Sequence, residues 1–326
     1  MVIMIHDGMT IHLHGKVDVV DLPMQVNRHA IMDHDYHPLH TPLFEINENP
    51  DFKHREEAHR QLLASGTLSE DDVDKETAEF IAYKRLERYK LRFTRDMKDM
   101  SPCMQYLYDI SRMHWRKEIT KMPLTLEEKQ RQDMNFVSKA CAVGYVLSRY
   151  RTNAQQQMSV FTDATVADEG KSSGGTGKSL MFELLSLVRK VYKIQGKAFK
   201  KKENIAKNFQ GFEDTVHSIC FIDDLRQDIS GDEFYNLTDS VVVKSLYKDE
   251  YMLPKERTPK FFVTMNNMSF DLSHGSTARR IYLGMVSDYY HAGNYTGTVS
   301  EWSPYRKFGK DIIQNATSEE LILYIE

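Results

Sequence analysis

The stretch EGKSSGGTGKSL, Glu169 to Leu180, decides how the rest of the chain is read. Its end, Gly177-Lys178-Ser179, matches the close of the phosphate-loop pattern G-x-x-x-x-G-K-[ST], but Ser172 stands where that pattern has its first glycine. Gly174, Gly175 and Gly177 still keep the backbone unobstructed, and a loop whose N–H groups cradle phosphate oxygens needs that freedom. On this reading Ser173, Gly174, Gly175, Thr176, Gly177, Lys178, Ser179 and Leu180 wrap the phosphates. Lys178 reaches the β- and γ-phosphates, and the Ser179 hydroxyl meets Mg2+. An amphipathic helix, SLMFELLSLVRKVY, is expected to follow. The competing reading is a Gly/Ser linker that happens to contain Gly-Lys-Ser.

Three elements downstream bear on that choice. In HSICFIDDL, four apolar residues run into Asp223 and Asp224, as a buried strand does on reaching a metal site. Asp223 suits Mg2+, and Asp224 suits orienting and deprotonating an attacking water. A strand ending in a solvated acidic turn is the plain alternative. In KFFVTMNN a second apolar run ends at Thr264 and Asn266, and an amide at that tip can contact a γ-phosphate or the water. Taken alone, it reads as an asparagine closing a turn. In STARRIYLGMV, Arg279 and Arg280 precede a third run. Such a pair is solvated by default, or at a subunit boundary enters a neighbour's site and stabilises charge on a transferring phosphoryl group. Each motif is weak, but their order and their common position at strand edges favour an ATP-hydrolysing site.

The bulk of the chain fits that class. Its 326 residues allow two domains, or one large domain with an appendage. A hydrophobic content of 41% and a charged content of 28% are ordinary for a globular chain. With a net charge of -4 and a pI near 6.4, no global basic field draws it to a polyanion. The scattered Cys103, Cys141 and Cys220 give no C-x-x-C pair, which argues against a disulfide framework or a thiolate zinc site. No apolar run approaches the roughly 18 residues of a membrane span. The opening MVIMIHDGMTIH lacks the basic flank of a signal peptide, so a cytoplasmic protein without membrane contact is expected.

Short strands are expected at the start, with Asp7-Gly8 as a type I′ turn pair in VIMIHDGMTIHLH and a further strand in KVDVVDL. DFKHREEAHRQLLAS reads as a helix closed by Gly66. Ser69 with Asp72 opens a helical stretch over 70–118, broken at Ser101-Pro102. Thr125 with Glu128 is a capping-box pattern for a third helix, whose apolar stripe is Met134, Val137, Cys141 and Tyr145. From about Met158 the texture changes. The runs Met158–Phe161, Ile219–Ile222, Phe261–Met265 and Ile281–Met285 read as buried strands of an α/β sheet. His29, His34, His37 and His40 with Asp33 and Asp35 lack structural-zinc spacing and read as a polar loop. The basic run YKRLERYKLRFTRDMK, 83–98, reads as a solvated helix face.

Glycine loop, Asp-Asp strand, Thr-x-Asn strand and late arginine resemble a superfamily 3 helicase domain. Over roughly 125–290 the chain is similar to the helicase half of phage and mobile-element primase-helicases, the group related to poxvirus and phage-plasmid enzymes. The resemblance implies a P-loop AAA+ core with a central mostly parallel sheet at 156–326. A helical collar would precede it at 121–155, and a small mixed α+β region of unplaced role at 1–120. It makes Lys178 and Ser179 the Walker A pair, Asp223 and Asp224 the Walker B pair, Asn266 the sensor, and Arg279 or Arg280 the arginine finger. It implies ATP with Mg2+, a hexameric ring of identical subunits, and 3′-to-5′ movement on single-stranded DNA or a forked duplex. A primase or polymerase of the same replication system is the expected partner. No primase signature is visible in the first 120 residues. The family also carries a DNA-gripping hairpin between its Asp-Asp and asparagine strands. Here that interval is VVVKSLYKDEYMLPKERTPK, where Lys244, Lys248, Lys255, Arg257 and Lys260 are interleaved with Tyr247 and Tyr251. The contrasting class is an AAA+ replication initiator or loader that uses ATP as an assembly switch without processive unwinding.

Overall fold

The four apolar runs all become strands of one parallel sheet, and a fifth strand joins them at the edge. In chain order these are β5 (Met158–Asp163), β6 (Val191–Gln195), β7 (Ile219–Asp223), β10 (Lys260–Thr264) and β11 (Ile281–Val286). Their lateral order is β11-β5-β10-β7-β6, with every neighbouring pair parallel. The first strand laid down is therefore interior, and the chain crosses over it to place β11 on its far side. Parallel neighbours require crossover connections, which cover both faces and make the strands apolar on both sides. The computed structural model describes residues 3–6, 11–14, 44–94, 100–147, 157–164, 175–199, 208–214, 216–226, 229, 237–238, 241–243, 250–267, 270, 280–291 and 303–325.

Alternation along the strands sorts the core into two layers. Phe161, Ile219, Phe221 and Phe262 face one side, where they pack with α3 (Pro102–Asp109), α5 (Leu126–Leu147) and α6 (Lys178–Ser186). Met158, Val160, Cys220, Ile222, Phe261 and Val263 face the other, under Phe199, Phe209, Phe212, Leu237, Val241 and Leu253. The first layer is rich in stacked rings: Phe161 lies parallel to Phe262 at 5.3 Å, and Phe182 of α6 packs on Phe221 at 4.7 Å. Gly284 of β11 sits opposite Phe161, and a Cβ there would come within 2.1 Å of the Phe161 ring.

The helix starts follow their capping residues. Asn49 caps α1 (Pro50–Ala64) with Pro50 in its first turn, and Gly66 lies just beyond its end at φ +65°. Ser69 caps α2 (Glu70–Glu87), its side chain accepting from the Asp72 N–H. Thr125 and Glu128 form the reciprocal box before α5, at 2.9 and 3.2 Å. Ser101 and Pro102 open α3 rather than interrupt a helix.

Four expectations need correction. The stretch 70–118 is not one broken helix: Tyr89–Phe93 is strand β4, antiparallel to β3 (Phe44–Glu48), and α4 is only Trp115–Ile119. The alternation of Tyr89, Leu91 and Phe93 has a strand partner that lies across the α1–α2 hairpin, invisible to local pattern. Of the basic run 83–98, residues up to Glu87 are helix and Tyr89–Phe93 are strand, and 95–98 lie outside the described residues. Helix α6 stops at Ser186, because Val191 and Tyr192 belong to the edge strand β6, of which only Ile194 is buried. On α5 the buried face is Phe136, Val137, Lys139, Ala142, Val143, Val146 and Leu147, and Cys141 is exposed. At the N-terminus β1 (Ile3–His6) pairs with β2 (Ile11–His14), His6 opposite Ile11. The Asp7-Gly8 turn, KVDVVDL and the histidine group at 29–40 lie outside the described residues. Among those described, no helix is long and apolar enough to cross a membrane.

Helix α5 is fastened to the sheet by polar contacts as well as apolar ones. The Tyr282 hydroxyl donates to the Ser138 carbonyl at 2.8 Å. Lys139, fully buried, donates to Asn135 Oδ1 at 2.8 Å and to the Met285 carbonyl at 2.6 Å. A neutral amine has two N–H donors for these two acceptors, and burial holds Lys139 well below the usual lysine range. The unfolded chain therefore binds a proton that the folded chain lacks in the window below 10.5, so stability from this group rises with pH there. Lys139→Met should remove that rise. The difference in unfolding free energy between parent and variant should change by about 1.4 kcal/mol per pH unit a unit or more below the free lysine value, where the unfolded chain is fully protonated. Denaturant titrations from pH 7 to 10 would check this, and parallel curves would refute the neutral-lysine account.

Candidate functional site

The carboxyl ends of β5, β10 and β7 lie side by side, and each ends in a polar residue: Asp163, Thr264 and Asp223. Facing them is the N-terminus of α6, entered from Gly177 at φ +96°. A crevice outside the carboxyl ends of a parallel sheet is where such folds hold ligands.

Two linked networks fill the crevice. In the first, the Lys178 ammonium donates to Asp163 Oδ1 at 2.5 Å, to Asn266 Oδ1 at 3.2 Å and to Thr176 Oγ1 at 3.3 Å. Thr176 also donates to Asp163 Oδ1, at 2.5 Å. Asn266 passes the connection on, its Nδ2 donating to Asp224 Oδ1 at 3.1 Å. In the second, Asp223 Oδ1 accepts from Ser179 Oγ at 2.7 Å and from Thr264 Oγ1 at 3.0 Å. The Asp224 N–H donates to Thr264 Oγ1 at 2.9 Å. Asp224 adopts φ +56°, a left-handed conformation that a residue with a side chain rarely takes.

A lysine of the edge strand and one of the 3-10 turn that follows it reach the same carboxylates. Lys193 lies 3.0 Å from Asp223 Oδ2, and Lys197 lies 2.7 Å from Asp224 Oδ2. Burial pushes the Asp223 carboxyl up, but hydrogen bonds from Ser179 and Lys193, the Lys193 charge and the Thr264 hydroxyl hold it below the usual range. Three carboxylates thus meet three ammonium groups. The hydroxyl and carboxylate oxygens of Ser179 and Asp223 are hard donors of the kind Mg2+ takes, with few protein ligands and the rest water or phosphate. Among the described residues no cluster of three or more His, Cys, Asp or Glu is placed to hold a metal by itself.

Lys178, Ser179, Asp223, Asp224 and Asn266 are therefore brought together, with Gly175, Thr176 and Gly177 leading in. Leu180 follows in α6, partly buried against the aromatic layer. Ser173, Gly174, Lys244, Lys248 and Arg279 lie outside the described residues. Arg280 is not part of this cluster. Its carbonyl accepts from the Met158 N–H at the start of β5, and the register runs from Ile281 opposite Met158 to Val286 opposite Asp163. At about 3.3 Å per residue, Arg280 is roughly 20 Å from Asp163. Lys255 and Arg257 also lie at that far end, Arg257 paired with Asp214 at 3.2 Å. The interval before them contains a short antiparallel pair, β8 (Val242–Val243) with β9 (Tyr251–Met252). Lys260 is corrected from a hairpin charge to a packed one: it is 3% exposed, its ammonium 3.7 Å from the Tyr145 ring centre.

The sequence reading missed Asp163, Lys193, Lys197 and Tyr106. Asp163 carries the same signature as Asp223, a carboxylate ending an apolar run. The edge lysines follow from β6, hidden behind the expected helix. Tyr106, whose hydroxyl donates to the Gly177 carbonyl at 2.5 Å, is separated from it by 71 residues and leaves no local signal. Set against protein-family models the sequence matches none, and it matches no curated protein.

Lys178 and Asp163 are both buried, with side chains 8% and 1% exposed. Removing one partner of a buried pair leaves the other charge uncompensated, which costs about 3–5 kcal/mol. Asp163→Ala should lose stability on that scale in urea unfolding. A loss below about 1 kcal/mol, the range of exposed pairs, would show that the pair does not organise the loop.

Proposed function

We propose that this chain is an ATP-hydrolysing AAA+ core of the superfamily 3 helicase kind, driving movement on single-stranded DNA during replication of a phage or mobile element. The observation that carries the proposal is the convergence of Lys178, Ser179, Asp223, Asp224 and Asn266 at the carboxyl ends of three adjacent strands. These residues come from three separate sequence segments, so their meeting supports the nucleotide reading over a flexible linker.

In that reading the triphosphate is the substrate. The backbone N–H groups around Gly175 and Gly177 and at the start of α6 donate to its phosphate oxygens, and Lys178 shifts from Asp163 toward the β/γ oxygens. Ser179 and Asp223 would hold Mg2+, which when bound neutralises phosphate charge. Asp224 orients the attacking water and takes its proton as the oxygen bonds to the γ-phosphorus and the bond to the leaving diphosphate breaks. Both Asp224 oxygens are occupied, one by Asn266 and one by Lys197, so the base must release one of them to act. Lys197 is the partner that yields, since it is 76% exposed and its pair is held weakly. Asn266 spans Lys178 and Asp224 and so registers the γ-phosphate between them. Arg280 sits too far from its own site, which supports its action, or that of Arg279, in a neighbouring subunit of a ring. Lys244, Lys248, Lys255 and Arg257 are the proposed DNA contacts.

Lys178→Ala should reduce ATP hydrolysis to background. Normal turnover in that variant would sink the assignment. The parent protein should displace a strand from a forked duplex, with hydrolysis stimulated by single-stranded DNA. Hydrolysis indifferent to DNA, with no displacement, would point instead to an initiator or loader that uses ATP as a switch.

A further inference from the structure

The glycine that starts α6 is held by a side chain from a distant part of the chain. Tyr106 of α3 is completely buried. Its hydroxyl donates to the Gly177 carbonyl at 2.5 Å, the same carbonyl that receives the first helical bond from the Met181 N–H at 3.4 Å. The contact is close: a Cβ on Gly177 would lie 2.2 Å from the Tyr106 oxygen. Gly177 is thus restricted to glycine twice, by its φ of +96° and by the tyrosine above it.

Tyr106 itself cannot drift. Its ring stacks on Tyr290 at 5.4 Å and 18°. The Tyr290 hydroxyl donates to Asp109 Oδ2 at 2.6 Å, and Lys307 donates to the same oxygen at 2.5 Å. Asp109 is one helical turn beyond Tyr106 on α3, so helix, stack and carboxylate brace one another.

A carbonyl and the N–H of the next residue belong to one planar trans peptide and point in opposite directions. Fixing the Gly177 oxygen toward α3 therefore aims the Lys178 N–H away from α3, at the start of the residue whose ammonium meets Asp163 and Asn266. We propose that Tyr106 is a positioning residue for nucleotide, holding the Gly177–Lys178 peptide so that its N–H is presented to a phosphate oxygen. The inference rests on the nucleotide reading of this site and adds a residue from outside the loop to it. Tyr106 touches no substrate and takes no part in proton transfer, so it governs affinity and leaves the rate at saturation alone.

The test compares Tyr106→Phe with Tyr282→Phe. Each variant keeps its ring and loses one hydroxyl that donates to a backbone carbonyl, but only the first loses the contact with the loop. Binding of ATP with Mg2+ is measured by calorimetry, and KM and kcat by steady-state hydrolysis. Tyr106→Phe should weaken binding and raise KM about five- to tenfold, the scale of one lost hydrogen bond, with kcat within about twofold of the parent. Tyr282→Phe should bind as the parent does, even where its thermal midpoint falls. The proposal is overturned if the two variants shift affinity equally, or if Tyr106→Phe binds like the parent. Lys178→Ala, run beside them, separates the two levels. If it loses binding while Tyr106→Phe does not, only the positioning role falls; if it binds normally, the nucleotide reading falls as well.

Discussion

The buried pair between Lys178 and Asp163 is the contact on which the arrangement of this crevice depends. It joins the first residue of α6 to the last residue of the interior strand β5, across a long intervening segment. An ammonium of that kind is not tolerated in a dry interior without a carboxylate. Once it is satisfied, the helix N-terminus is bound to face the strand ends. Asn266 and Thr176 then attach to the same lysine, and Asp224 attaches to Asn266. The rest of the site follows from one charge that has to be answered.

The sheet also separates its charges by end. Asp163, Asp223 and Asp224 collect at the carboxyl ends of the strands, with lysines around them. Arg280, Lys255 and Arg257 stand at the amino ends. Parallel strands make this separation possible, because every carboxyl end emerges on the same side. The chain therefore gathers its acid-and-lysine crevice at one end of the sheet and sets Arg280, Lys255 and the Arg257–Asp214 pair at the other.

How much of this was readable beforehand depended on how local the cause was. The three central strands β5, β10 and β7 announced themselves as apolar runs because burial on both faces leaves no alternation to decode, and β11 was an apolar run too although Leu283 and Met285 are exposed at its edge. The capping residues Ser69 and Thr125 marked helix starts accurately because a cap is settled within four residues. Asp223, Asp224 and Asn266 stood out for the same reason, each being a polar tip on an apolar run. Strand β4 and edge strand β6 did not stand out, since a strand exposed on one side needs a partner that the sequence does not place nearby. The apolar-stripe reading of α5 found Val137 and Tyr145 but not Lys139, whose amine is buried because Asn135 and the Met285 carbonyl receive it, the second 146 residues away. Tyr106 is the same case at the site.

Gly284 has a consequence for how the sheet is assembled. Its missing side chain is the space into which the Phe161 ring fits, and its neighbours on β11 are Leu283 and Met285. A strand shifted by one residue would set one of those side chains against the ring and collide with it. The edge strand can therefore join the sheet in only one alignment, and the glycine acts as a notch that rejects the misaligned ones. The Met285 carbonyl bound by Lys139 and the Ser287 hydroxyl bound to the Asp109 carbonyl lie just downstream, so that one notch also decides whether α5 and α3 find their anchors.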